Sequence, residues 1–240
     1  MAIFDSKSGS VQASALCSPL VLFGGTFDPV HFGHLRAALE IRERLAVSDV
    51  RLLPCHIPAH RDQPSSTAEH RIQMIRLAIA CDQGETGLTL DTRECEHPHT
   101  SYTVSTLQSL RKEYGDTKPI ILTLGMDAFN ALPRWHQWQE LLRLAHLLVV
   151  QRPDTPLSRD SQIQALLTQY QLFTKDDLTR TSHGGIWIEP ITPLAISATN
   201  IRKQISLGHS ARYLLPDVVW QYIKQQGLYG YQVPGLLKND

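Results

Sequence analysis

The chain has 240 residues, of which 42% are hydrophobic, and its 23 Lys and Arg residues balance its 23 Asp and Glu residues. This length and this composition are typical of one globular domain with its own apolar core. The zero net charge excludes a global basic surface for nucleic acid or an acidic membrane, so any affinity for anions must be local. No apolar run approaches the roughly 20 residues that span a bilayer, and the four cysteines include no C-x-x-C pair. These features predict a reduced, cytoplasmic protein.

Strand-like and helix-like segments alternate along the chain. An apolar run at 20–23 predicts a buried strand, and a helix is predicted to follow at 34–45. Further strands are predicted at 49–54, 88–92, 119–125, 147–150 and 186–191. Further helices are predicted at 66–80, 101–114, 138–145, 199–207 and 217–226, with a peripheral helix and loops within 154–184. This alternation predicts an α/β fold with a Rossmann-like open parallel sheet, helices on both faces and right-handed crossovers.

Local signals refine this prediction. Ser66 and Glu69 have the spacing of a capping box at the start of the helix at 66–80. The apolar stripes expected to face the core are Ile72, Ile75 and Ile79 in this helix and Val104, Leu107 and Leu110 in the next. We expect one domain over 19–230, with a short C-terminal helical portion at about 192–230. Residues 1–18 are expected to form a flexible N-terminal tail, and 231–240 a C-terminal tail.

The most informative segment is 24–34, Gly-Gly-Thr-Phe-Asp-Pro-Val-His-Phe-Gly-His, between the first predicted strand and helix. Glycines in such a turn let the backbone approach a ligand closely. The helix start offers N–H groups and the positive end of the helix dipole, which suit a phosphate group. His31 and His34 are three residues apart at this helix start, so both can face one anion. A lone histidine here would be interpreted as a helix cap or a core residue, but the whole pattern predicts a polyphosphate site at the carboxyl edge of the sheet.

A second phosphate-binding pattern is Ser197-x-Thr199-x-x-Arg202. A Ser or Thr before a helix caps it, and Arg202 follows Thr199 by three residues on the same helical face. The guanidinium fork of Arg202 would match phosphate oxygens. By itself, the pattern would be interpreted as a capped helix with a solvated arginine, and the pairing with the histidine motif favours phosphate binding.

The order of these motifs resembles that of a known family. Residues 24–34 are similar to the signature of the nucleotidyltransferase superfamily with the HxGH motif. Within that superfamily, the bacterial nicotinate-nucleotide adenylyltransferases carry further elements in a fixed order. Segments of this chain resemble them in that order, at 57–61, 101–103, 125–127, 133–135, 151–153 and 196–202. The resemblance extends from about residue 20 to residue 229.

The resemblance implies adenylyl transfer from ATP to nicotinate mononucleotide in NAD biosynthesis, with release of pyrophosphate and with Mg²⁺ carried by the ATP phosphates. It implies catalytic roles for His31, His34 and Arg202. The ATP site would comprise Gly24, Gly25, Thr26, Phe27, His31, His34, Ser197, Thr199 and Arg202. The acceptor site would comprise Thr26, His60, Arg61, Ser101, Tyr102, Thr103, Asp127, Trp135 and Arg152. In this site, Trp135 would stack on the pyridine ring.

Some of these assignments have a structural alternative. Asp28 is expected to accept hydrogen bonds from loop N–H groups, Asp127 would also serve as a helix cap, and Trp135 would also serve as a core residue, as is expected of Trp138. Two neighbours of the acceptor residues, Met126 and His136, depart from the family pattern.

The functional alternatives are another adenylyltransferase of the same fold, with a phosphopantetheine-type acceptor, and a non-catalytic nucleotide-binding protein. The histidines at 56, 60, 97 and 99 do not have the spacing of a zinc site, so no metal held by protein side chains is expected. No nucleic acid or membrane partner is expected.

Overall fold

The structure is a computed structural model that describes residues 18–58, 63–81, 83–96, 100–151, 155–192 and 194–232. The strands are β1 (Leu20–Gly25), β2 (Val50–Pro54), β3 (Ile57–Pro58), β4 (Leu88–Leu90), β5 (Thr100–Ser101), β6 (Ile120–Gly125), β7 (His146–Gln151) and β8 (Ile186–Pro190). The helices are α1 (Phe32–Leu45), α2 (Ala68–Ala80), α3 (Thr103–Tyr114), α4 (Met126–Asn130), α5 (Leu141–Leu144), α6 (Ser161–Tyr170), α7 (Asp177–Arg180), α8 (Ala198–Ser206) and α9 (Asp217–Gln225). Short 3₁₀ turns lie at Leu132–Arg134, Trp138–Glu140 and Leu228–Gly230.

Within the described residues, the central sheet has six parallel strands in the order β4-β2-β1-β6-β7-β8. When β3 and β5 are set aside, this is the doubly wound order 3-2-1-4-5-6. The predicted Rossmann-like parallel sheet is therefore confirmed. The parallel pair of β3 and β5 forms a second, two-stranded sheet that the sequence did not predict.

The helices bury both faces of the sheet. Val21 and Phe23 of β1 belong to a core that includes residues of α1, α2, α8 and α9. Leu20 and Leu22 point to the other face and join residues of α3, α5 and α6. This alternation follows from the two-residue period of a strand. The predicted stripe of α3, at 104, 107 and 110, is buried in the second core and is confirmed.

The start and the buried face of α2 differ from the prediction. The capping box was wrong, because Thr67 is the cap and accepts a hydrogen bond from the N–H of His70. The buried face is centred one residue earlier than predicted, and consists of Ala68, Arg71, Met74, Ile75 and Ala78. Ile72 and Ile79 are only half-buried.

Two other predicted helices were also misplaced in part. Ser101 lies in β5 rather than in a helix, and α3 begins at Thr103. The helix predicted at 138–145 is divided into a 3₁₀ turn and the short helix α5.

The fold brings the carboxyl ends of β1 and β6, Gly25 and Gly125, side by side at one edge of the sheet. This is the point where the strand order reverses, and ligands of such sheets bind in the crevice there. Most of the two predicted tails, at 1–17 and 233–240, lies outside the described residues. Among the helices described here, none is long and apolar enough to cross a membrane.

Candidate active site

The loop that follows β1 has an open backbone on one side. A Cβ atom added at Gly24 would meet no heavy atom within 4 Å, so the fold itself does not require glycine at this position. A Cβ atom at Gly25, in contrast, would lie 2.9 Å from the ring of Phe27. Gly25 is therefore explained by packing, whereas Gly24 leaves room for an external group to approach the backbone.

Phe27 anchors the loop by packing its side chain into the core. Its φ of 53° lies in the left-handed region, which costs a non-glycine residue on the order of 1 kcal/mol. The ring is 1% exposed and makes edge contacts with Phe23 and His34, at centroid distances of 6.2 and 5.0 Å. Burial of this large apolar ring offsets the backbone cost and fixes the shape of the loop.

His31 and His34 are stacked at the start of α1. Their ring centroids are 3.7 Å apart and their planes differ by 21°. His31 is the residue before the helix and is 2% exposed, whereas His34 is half-buried. The geometry explains the glycine between them, because a Cβ atom at Gly33 would lie 3.0 Å from the His31 ring and 3.3 Å from the carbonyl oxygen of Ile196. The structure thus brings the two histidines together, next to the segment that precedes α8.

Helix α8 carries the second predicted phosphate-binding pattern to the same loop. Ser197 caps the helix, and its Oγ accepts a hydrogen bond from the N–H of Asn200 at 3.2 Å. Arg202 donates a hydrogen bond from Nη1 to the carbonyl oxygen of Asp28 at 2.7 Å. Its side chain is 28% exposed, and a guanidinium has five N–H groups. Thr199 is exposed in the first turn of α8.

Asp28 is a buried structural carboxylate, as the sequence predicted. It accepts hydrogen bonds from the N–H of Ser65 at 2.7 Å, from the hydroxyl of Ser66, and from the hydroxyl of Tyr229 at 2.8 Å. Burial raises the pKa of Tyr229 well above its ordinary value, and the nearby Asp28 raises it further. These bonds fasten the loop to the start of α2 and to the chain after α9.

The predicted acceptor residues 101–103 lie beside this loop, across the segment that follows β2. Ser101 Oγ accepts a hydrogen bond from the N–H of His56 at 2.9 Å, so its hydroxyl serves the fold. Tyr102 is 40% exposed, and its ring lies 4.6 Å from that of His136. Thr103 opens α3, and the side chain of Tyr102, the residue before it, makes no capping hydrogen bond. The N-terminal end of α3 is therefore the part of this segment that suits an anionic group.

A half-buried acid, Glu94, contacts the same segment. Thr106 donates a hydrogen bond from Oγ1 to Oε1 of Glu94 at 2.6 Å. Burial raises the pKa of Glu94, and hydrogen bonds from Thr106 and Ser101 oppose that shift. Glu94 was not predicted as a site residue.

Trp135 and Asp127 lie where the sequence predicted, after β6. Trp135 is half-buried and packs against the second core, as does Trp138. Its neighbour His136 contacts Tyr102, which joins the 135–136 segment to the start of α3. Asp127 is exposed in the first turn of α4, and its carboxylate turns back over Gly125.

Three predicted acceptor residues, His60, Arg61 and Arg152, lie outside the described residues. Within the part of the chain that is described, no three His, Cys, Asp or Glu side chains are close enough to hold a metal ion.

Sequence reasoning missed Ser66, Tyr229 and Arg71, which act through the loop backbone or Asp28. None of them belongs to a motif that indicates a ligand site, since the pattern around Ser66 predicted only a helix cap. The only sequence signal for Arg71 was its position one residue from the predicted apolar stripe.

Comparison with known proteins gives the family. A family model described as cytidylyltransferase-like matches residues 22–204. A probable nicotinate-nucleotide adenylyltransferase of Hahella chejuensis is 44% identical over 214 residues, which are 89% of this chain and 96% of that protein. A protein of Cellvibrio japonicus with the same description is 46% identical over 211 residues, 88% of this chain and 98% of that protein. The chain belongs to the nicotinate-nucleotide adenylyltransferase family.

Solved structures agree with this placement at the level of the fold. The nicotinic acid mononucleotide adenylyltransferase of Plasmodium falciparum, complexed with NaAD, is similar with a TM-score of 0.68 at 15% identity. The match covers 90% of this chain and 98% of that chain. The resemblance inferred from the motifs is thus confirmed, as is the nucleotidyltransferase class of this family member. The roles of single residues stay predictions.

Proposed function

We propose that this chain transfers the adenylyl group of ATP to nicotinate mononucleotide, forming nicotinate adenine dinucleotide and pyrophosphate in NAD biosynthesis. The observation that carries the proposal is the stacked pair of His31 and His34 at the N-terminus of α1, next to the open backbone at Gly24. Amide N–H groups, imidazoles and the guanidinium of Arg202 converge on one loop, and all three are groups that bind phosphate oxygens.

In the proposed reaction, an oxygen of the acceptor 5′-phosphate attacks the α-phosphorus of ATP in line. The new bond joins this oxygen to the α-phosphorus, and the bond from the α-phosphorus to the bridging oxygen of the β-phosphate breaks. Pyrophosphate leaves with that electron pair. Because the phosphate nucleophile is already ionised near neutral pH, the reaction needs no strong general base.

The side chains would act by positioning and by stabilising charge. His31 and His34 would donate hydrogen bonds to phosphate oxygens that become more negative in the transition state, and a donor of this kind contributes roughly 3–4 kcal/mol. Arg202 of α8 would bind the same phosphates, and Ser197 and Thr199 at the start of α8 would line the site. Gly24, Gly25, Thr26 and Phe27 would supply backbone contacts.

The metal in this proposal enters with the nucleotide. Mg²⁺ prefers oxygen ligands and keeps several waters, whereas the side chains that converge on the loop are imidazoles and a guanidinium. Asp28, the carboxylate of this loop, already accepts three hydrogen bonds from the protein. We therefore propose that the ATP phosphates and water hold Mg²⁺, and that no side chain of this loop binds it directly.

The acceptor would bind between the start of α3 and the 135–136 segment. The carboxylate of nicotinate would lie at the N-terminus of α3, at Tyr102 and Thr103, and Trp135 would stack on the pyridine ring. Asp127 would contact the ribose. His60, Arg61 and Arg152 remain proposed acceptor residues on the basis of the motif order alone.

The test is pyrophosphate release from ATP, measured with nicotinate mononucleotide, nicotinamide mononucleotide or phosphopantetheine as the acceptor. We expect release with nicotinate mononucleotide. In His31→Ala and His34→Ala we expect kcat to fall about 100- to 1,000-fold, with a loss of stability too small to account for that fall. Release driven only by phosphopantetheine would contradict the proposed acceptor. ATP binding without any release would indicate a non-catalytic nucleotide-binding protein.

A further inference from the structure

A buried arginine joins two loops of the proposed active site. Arg71 of α2 is 1% exposed. Its Nη1 donates hydrogen bonds to the carbonyl oxygens of Thr26, at 3.0 Å, and of Cys55. Its Nη2 donates to the carbonyl oxygen of His56 at 2.7 Å. A buried charge is costly unless hydrogen bonds satisfy it. Here three main-chain carbonyls of two different loops accept from Nη1 and Nη2, whereas Nε has no hydrogen-bond partner among the described residues.

The first of these loops belongs to the proposed ATP site, and the second lies next to the proposed acceptor site. Thr26 belongs to the glycine loop after β1, which we propose binds ATP. Cys55 and His56 follow β2 and lead into β3, which pairs with β5 next to the proposed acceptor residues. Arg71 therefore lies behind the point where the ATP-binding loop meets the acceptor-binding segment.

The peptide group between Cys55 and His56 connects Arg71 to Ser101 of the acceptor segment. The carbonyl of Cys55 accepts a hydrogen bond from Arg71, and the N–H of His56 in the same peptide donates to Ser101 Oγ at 2.9 Å. The carbonyl and N–H of a trans peptide lie in one plane and point in opposite directions. Fixing the carbonyl thus fixes the direction of the bond to Ser101.

We infer that Arg71 is a positioning residue that sets the separation between the ATP-binding loop, 24–27, and the acceptor segment, 101–103. The inference rests on the proposed function, because that function assigns the two segments to the two substrates. In-line attack requires the reacting atoms to lie about 3–3.5 Å apart. A change in the separation of the loops therefore lowers the rate of transfer even when each substrate still binds to its own loop.

Two substitutions of Arg71 distinguish the effect of its positive charge from the effect of its hydrogen bonds to both loops. Arg71→Lys keeps the positive charge but offers a single nitrogen in place of two, and Arg71→Met removes all donors. In both variants we expect kcat to fall about 10- to 100-fold, since a misplacement of about 1 Å has this effect. We expect KM to change less than about threefold for either substrate, because neither binding surface is altered directly.

The chain offers a matched control in Arg111. This arginine of α3 is 8% exposed, and it donates to the carbonyl oxygens of Gly115, Lys118, Leu144 and Ser182. The last three precede β6, β7 and β8 and therefore lie at the amino edge of the sheet, opposite the proposed site. Arg111→Met and Arg111→Lys should lower the melting temperature as the Arg71 variants do, and leave kcat of the folded protein unchanged.

Amide hydrogen exchange provides a readout that does not depend on activity. Arg71→Lys should accelerate exchange in both 24–27 and 55–57, and Arg111→Lys in neither. Equal kcat in the Arg71 and Arg111 variants would overturn the inference, as would a rise in KM for one substrate alone. If wild-type protein releases no pyrophosphate with nicotinate mononucleotide, the proposed function fails. Exchange then decides the structural claim, and unchanged exchange in the Arg71 variants overturns it.

Discussion

The substitution Gly24→Ala tests directly whether a ligand approaches the loop after β1. The fold accepts the added methyl group, because no heavy atom lies within 4 Å of its position. The φ of Gly24 is not among the positive values of the described glycines, so alanine fits the backbone without strain. Such a change stabilises a protein by about 0.4–1 kcal/mol, through the lower entropy of its unfolded chain. The melting temperature should therefore stay the same or rise.

Activity should respond in the opposite direction. A phosphate oxygen that accepts a hydrogen bond from the loop lies about 2.9 Å from an amide nitrogen, and a neighbouring methyl group would displace it by roughly 0.5–1 Å. A displacement of this size costs about 10- to 100-fold in rate. This corresponds to about 1.4–2.7 kcal/mol of transition-state stabilisation. We expect kcat/KM for ATP to fall by that factor in an assay of pyrophosphate release.

Gly25→Ala is the matched comparison. Its Cβ atom would lie 2.9 Å from the buried ring of Phe27, so this variant should lose stability. A Gly24→Ala protein with an unchanged melting temperature and with kcat/KM within about twofold of wild type would refute the proposed approach of the triphosphate to this loop.

Three further predictions concern the acceptor site, the hydroxyl bound to Asp28 and the half-buried acid Glu94. Trp135→Ala should raise KM for nicotinate mononucleotide about 2- to 12-fold, the range that an aromatic contact supplies, and KM for ATP much less; equal rises would argue against stacking on the pyridine ring. Tyr229→Phe removes a hydrogen bond to the buried Asp28 and should cost about 1.5–3 kcal/mol of unfolding free energy in urea; an unchanged midpoint would contradict this. Burial raises the pKa of Glu94 above its ordinary 4.5, so its ionisation destabilises the fold as the pH rises through that raised pKa. Glu94→Gln should therefore gain melting temperature over wild type with increasing pH, and a pH-independent difference would contradict the burial of the acid.

The central sheet and most helices were predictable because they depend on local sequence. Strands buried on both faces have near-continuous apolar runs, as β6 and β7 do. The loop at 24–34 could be recognised for a related reason. Its glycines and its two histidines lie within one short stretch of the sequence. The phosphate-binding half of the site could therefore be proposed from the sequence alone.

Contacts between distant segments could not be predicted. Ser66 has the spacing of a capping box, yet its hydroxyl donates a hydrogen bond to Asp28, 38 residues earlier. The helix is capped by Thr67 instead. Ser101 looked like the start of a helix, but pairing between β5 and β3 holds it in an extended conformation. Arg71 was not predicted as a site residue, because its three carbonyl partners in two other loops are visible only in the folded chain.

The central claim is that the loop between β1 and α1 binds the triphosphate of ATP. A crystal structure of the protein with Mg²⁺ and a non-hydrolysable ATP analogue tests it most directly. We expect phosphate oxygens within hydrogen-bond distance of the amides of 24–27 and of His31 or His34, with Arg202 on the same phosphates. A triphosphate bound away from residues 24–34 would contradict the proposed role of this loop.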